Sequence, residues 1–169
     1  MKELNVNQLK RRIRIWIIIF MIALVLSGIT AFPIEMELRF LVNHLNIVPG
    51  FMRDFITGAY QGVSVTSEHF PFMSYGTDWL AFAHIVIAIA FIGPYFNPVK
   101  NVWVIQFGMI ACALVIVLAL IAGPIRGIPV YWRIMDCSFG IIGFVPLYII
   151  YRLIKKLERF KSHKPRRPD

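Results

Sequence analysis

"VWVIQFGMIACALVIVLALIA", Val102 to Ala122, runs for 21 residues with Gln106 as its most polar member. The hydrocarbon core of a bilayer is about 30 Å thick, and roughly 17 to 25 helical residues cross it. A helix satisfies its own backbone N–H and C=O groups where no water can, so a stretch this long and apolar reads as a transmembrane helix. Three more stretches fit the same description. Ile13 to Phe32 carries no acid or base after Arg14, Trp79 to Phe96 holds His84, and Ile134 to Tyr151 holds Asp136 as its one charge. The expected fold is all-α, a polytopic membrane protein built as one integral membrane domain over residues 1–169, with the four spans in an antiparallel four-helix bundle.

Composition agrees with the spans. Apolar residues make up 58% of the 169 and the mean hydropathy is +0.68, against about 45–50% apolar residues in an ordinary soluble domain. The net charge of +9 would suit a nucleic-acid partner, but its placement argues otherwise. Lys2, Lys10, Arg11, Arg12 and Arg14 precede or open the first span, Lys100 lies between the second and third, and eight bases lie in the tail 152–169. Together these are 14 of the 18 Lys and Arg residues. Arg39, Arg53, Arg126 and Arg133 fall on the other side. The positive-inside rule then makes both termini cytoplasmic in a plasma or bacterial inner membrane. The basic tail reads as a topological signal that meets anionic lipid headgroups, with no nucleic-acid partner. The first span is too long for the roughly 7 to 15 apolar residues of a signal-peptide core, and it reads as a retained anchor.

The connections are unequal. Gly93 to Asn101 is a tight turn with two prolines, and the turn after Ala122 is nearly as short, with Gly123 and Pro124 expected to stop the third helix. The outer segment 33–78 is much longer. Ile34, Leu38, Leu41, Val42 and Leu45 recur near helical spacing, which predicts an amphipathic helix on the membrane surface or capping the bundle. Pro49 and Gly50 end it. A second helix is expected from about Phe51 to Tyr60, and Gly62 to Gly76 reads as irregular or extended.

Polar residues inside a bilayer are costly and are functional candidates by default. Asp136 lies three to five residues into the last span and His84 five into the second, so at 1.5 Å per residue both sit roughly 5 to 8 Å below the same interface. Arg133, three residues before Asp136, offers a local ion pair. Gly140 and Gly143 follow on the Asp136 face, and small residues let helices approach closely. The expected site is a pocket in the outer leaflet lined by His84, Asp136, Arg126 and Arg133 and roofed by the outer helix with Glu35 and Glu37. His44, His69 and His84 share that side, and three imidazoles with a carboxylate form a metal-ligand set for zinc, copper or non-haem iron. A bis-His haem would need His44 or His69 folded back onto His84, because His84 is the one His in a span. Cys112 lies deep in one span and Cys137 shallow in the next, which separates them as a redox pair.

These features support three readings and identify no catalytic residue. The first is a small membrane protein that holds a polar ligand, a metal or haem in the outer-leaflet pocket, with a redox link as one form. The second is a noncatalytic subunit or assembly factor of a membrane complex. The third is a small transporter, which at four spans would act as a homodimer.

Overall fold

The computed structural model describes residues 6–162, and among them every regular element is a helix. In chain order these are α1 (Val6–Ala31), α2 (Ile34–Asn43), a one-turn 3-10 helix (Leu45–Ile47), α3 (Gly50–His69), α4 (Pro71–Ala90), α5 (Ile92–Phe96), α6 (Val102–Ile125) and α7 (Val130–Ser162). Four helical stretches are long and apolar enough to cross a membrane: Val6–Ala31, Pro71–Phe96, Val102–Ile125 and Val130–Phe160. Only 17–22% of each apolar window is buried within the protein. Ile18, Ile22 and Leu26 on α1 and Leu114, Leu118 and Ile121 on α6 face outward. A soluble monomer does not leave apolar surface on this scale in water, whereas lipid solvates it without cost.

The chain forms two compact units, Met1–Ile22 with Ile89–Asp169, and Ala23–Ala88. In the first, α1 contributes the buried stripe Leu9, Ile13, Ile17 and Phe20, and α7 contributes Leu147, Ile150, Ile154 and Leu157. Both stripes follow the i, i+3 or i+4 spacing that puts residues on one helix face. The Phe20 and Phe91 rings join α1 to the α4–α5 corner with centroids 4.9 Å apart. The residues of α6 and α7 meet in antiparallel order. A Cβ built on Gly140 would stand 2.6 Å from the Cys112 carbonyl oxygen, and one on Gly108 would stand 2.9 Å from a Leu147 methyl. The expected small-residue face of α7 is therefore a contact face, and Gly140 sets how closely the backbones approach.

Gly123 and Pro124 do not stop α6. The helix runs on to Ile125 and ends in a Schellman motif. Ile128 N–H donates to the Gly123 carbonyl at 2.9 Å and Gly127 N–H donates to the Pro124 carbonyl at 3.1 Å. The missing N–H of Pro124 removes one intrahelical bond, but Pro124 keeps the carbonyl that the motif uses. Gly127 carries the motif's left-handed residue at φ 68°, a conformation that costs an L-residue with a Cβ roughly 1–2 kcal/mol. Gly127→Ala is accordingly expected to lower the unfolding free energy by about that amount in detergent titration followed by circular dichroism, with no steric contribution because open space surrounds the site.

In the second unit, the predicted amphipathic helix is α2, and it packs on α3. Val48 and Ile56 are buried here. Arg39 bridges the two helices: a hydrogen bond with Tyr60 and an ion pair with Glu35 at 3.2 Å both hold its proton more tightly than usual. The expectation of an irregular segment from Gly62 to Gly76 is overturned. α3 continues to His69, and α4 begins at Pro71 after a break of one residue. Pro71 occupies the first helical position, where a missing N–H costs nothing. Gly62 and Gly76 each cost the helix about 1 kcal/mol of propensity, which does not break it. The end of α1 meets α4 at Gly28, where a Cβ would stand 2.8 Å from the Ala81 carbonyl oxygen and 3.2 Å from the Cβ of His84.

Candidate ligand-binding site

The site begins with the way α6 ends. Because its last turn closes on Gly127, the chain reverses through Arg126–Pro129 and α7 returns beside α6. Ala119, Ala122 and Gly123, at i, i+3 and i+4, leave a shallow face on α6. A groove of about 340 Å³ runs along it, lined by Val115, Leu118, Ala122, Phe139, Arg126 and Asp136 among others. Most of the lining is hydrocarbon, and Arg126 and Asp136 add a guanidinium and a carboxylate to it.

Neither charge is in an ion pair among the described residues. The ion pairs there are Glu35–Arg39 and Lys155–Glu158, so of the two readings open for Asp136 the local pair with Arg133 is not made. The reason lies in Gly123. The stem of Arg133 lies across it so closely that a Cβ there would stand 2.7 Å from Arg133 Cγ and closer still to Cδ. Arg133 is thereby turned onto α6, away from its own helix neighbour, and its Nε is buried with no hydrogen-bond partner. Arg126 is the C-cap of α6, where a cation is favoured by the partial negative charge of the last carbonyls. Asp136, seven residues into α7, is half-buried at the groove.

The other predicted residues lie in the second unit. His84 is half-buried on the face that meets α1, and its Nδ1–H donates to the Leu80 carbonyl at 2.9 Å. His44 and His69 are exposed and make the same bond to the carbonyl four residues back, at 2.8 Å to Phe40 and 3.2 Å to Val65. Each histidine is thus held by its own helix. Among the described residues no three His, Cys, Asp or Glu side chains stand where one ion could be held. Glu37 is exposed on α2. Glu35 borders a separate cavity of about 440 Å³ with Ser67, Ser74, Thr77 and Asp78, whose Ser67 and Ser74 hydroxyls are 3.1 Å apart. Cys112 and Cys137 are both free thiols.

Sequence reasoning placed Arg126, Arg133 and Asp136 at one turn but missed the groove wall. Its signal was present in Ala119, Ala122 and Gly123, small residues on one helical face ending at the turn. The far end of the same unit shows a complementary arrangement. Lys10 and Arg14 of α1, Asn97 and Lys100 of the turn and Leu157 of α7 line one cavity of about 280 Å³, so the start of α1, the 97–101 turn and the end of α7 lie together. Compared with family models, with curated proteins and with solved structures, the chain matches none at a level that assigns it to a family.

Proposed function

We propose that this is a small four-span membrane protein that binds an amphiphilic ligand between α6 and α7, with the ligand's apolar chain in the groove and its polar head against Arg126 and Asp136. The carrying observation is the groove itself: a lining that is mostly hydrocarbon, with the guanidinium of Arg126 and the carboxylate of Asp136 added to it and neither in an ion pair among the described residues. A headgroup offering an anionic oxygen to Arg126 and a donor to Asp136 would satisfy both. The donor set supports an organic head more than a metal ion, for which one carboxylate and one guanidinium group are poor ligands.

In this reading the four spans cross in alternating directions, both termini are cytoplasmic, and the α2–α3 hairpin and the groove face the opposite side. The support is the distribution of bases together with the shared end of α1, the 97–101 turn and α7. A second reading, as a subunit or assembly factor, rests on a different feature. Met36, Phe40, Ile47 and Phe51 on and beside the α2–α3 hairpin are 56–66% exposed, and they suit the surface of either a membrane or a partner protein.

A photoreactive benzophenone side chain at Leu118, irradiated in intact membranes, separates these readings. The expected product carries a small lipid-like mass. Arg126→Gln with Asp136→Asn is expected to reduce its yield by at least about tenfold, since losing even one charge-assisted hydrogen bond of about 1.5 kcal/mol has that effect. The same probe at Trp103, near the other end of α6, reports bulk lipid and should not respond. A polypeptide-sized product would favour the subunit reading, and a yield indifferent to the charge variants would overturn ligand binding.

A further inference from the structure

The basic end of the first unit holds a second site. The 280 Å³ cavity lined by Lys10, Arg14, Lys100 and Asn97 adjoins a groove of about 520 Å³ that shares Lys10 and Arg14 and continues past Arg11 to Ile15 and Ile18. Among the described residues no acid lines either one. Arg14 is held in place from two directions. Its Nε donates to the Tyr95 carbonyl at 3.3 Å, and its guanidinium carbon lies 5.4 Å from the centroid of the Tyr95 ring. The ring and the carbonyl engage one face and one N–H of the group, which leaves the terminal nitrogens for a further acceptor. Four cations gathered at two adjoining concavities repel one another, and no carboxylate of the lining relieves them. An anion does. Ile15 and Ile18, 46% and 42% exposed, carry the groove from these charges onto the apolar flank of α1.

We infer that Lys10, Arg14 and Lys100 form a binding site for the phosphate of an anionic phospholipid whose acyl chains run along Ile15 and Ile18. Basic pockets between transmembrane helices at the cytoplasmic side are suited to phosphate headgroups. An anionic lipid is selected over a zwitterionic one because the clustered cations repel a headgroup ammonium and no carboxylate of the lining attracts it. The site is distinct from the basic residues at the end of α7, where charge is spread along one helix and Lys155 is already paired with Glu158, and it does not depend on the α6–α7 groove.

The test is native mass spectrometry of the full chain released from nanodiscs that mix phosphatidylglycerol with phosphatidylcholine. The wild type is expected to retain phosphatidylglycerol preferentially. Lys10→Gln, Arg14→Gln and Lys100→Gln should each lower that preference by about fivefold, the equivalent of about 1 kcal/mol per basic residue at a membrane surface. Lys155→Gln with Lys156→Gln, which removes two charges from the tail, should leave it unchanged. Lys100→Gln changes an exposed turn residue, so its effect can be read even if a change within α1 disturbs folding. Inorganic phosphate added in detergent should not displace the lipid. Equal loss from the tail variant would reduce the effect to diffuse charge and overturn the site, as would an unchanged preference in Lys100→Gln. Displacement by inorganic phosphate would show that a soluble phosphate is the occupant and overturn the lipid assignment.

Discussion

Replacing Gly140 by leucine is expected to cost about 3 kcal/mol, a large part of the 5–15 kcal/mol that holds an ordinary domain folded. The cause is backbone against side chain. At Gly140 even a single Cβ would stand 2.6 Å from the Cys112 carbonyl oxygen and 2.8 Å from Ile116 Cγ1, and a main-chain oxygen inside a helix cannot turn away as a side chain can. The α6–α7 pair must separate to admit the new atoms, and the contact between Gly108 and Leu147 lies on the same seam. Gly58→Ala is the matched control. Gly58 lies in α3 with open space where its Cβ would be, so the substitution should stabilise the helix by up to about 1 kcal/mol through propensity alone. Denaturant titration in mild detergent, followed by circular dichroism, measures both. A Gly140→Leu protein as stable as the wild type would mean that α6 and α7 do not pack through this seam.

The spans were legible because hydrocarbon imposes one requirement on every residue of a long stretch, and Val102–Ala122 meets it at nearly every position. Helix α2 was legible for the related reason that a surface helix must keep one apolar stripe. The segment 62–76 was misread because Gly62, Gly76 and Pro71 look like breakers. Their meaning depends on position: Pro71 starts a helix, and the two glycines only weaken one. Gly123 and Pro124 misled in the same way, since the stop is made two residues beyond the pair by the Gly127 conformation and the bonds that meet there. At the candidate site, sequence distance suggested that Arg133 would pair with Asp136 along one helix face. Spacing cannot register that Gly123 on the facing helix leaves room for the Arg133 stem. The histidines mislead through composition, because residues that share a side of the membrane need not converge on a point.

The two proposed ligand sites acquire their meaning from lying toward opposite ends of α6, whose 24 residues extend about 36 Å at 1.5 Å per residue, enough to cross the hydrocarbon core. Single cysteines at Asn97 and Val130, both exposed, mark those two ends when Cys112 and Cys137 are first replaced by alanine. In intact cells a membrane-impermeant maleimide is expected to label Val130→Cys fully and Asn97→Cys not at all, and Asn97→Cys should react once the membrane is permeabilised, because the positive-inside rule, applied to 14 of 18 basic residues, assigns the Asn97 side to the cytoplasm in the proposed topology. Labelling of Asn97→Cys in intact cells, whether alone or equally with Val130→Cys, would contradict a groove on the outer face and a basic site on the inner one.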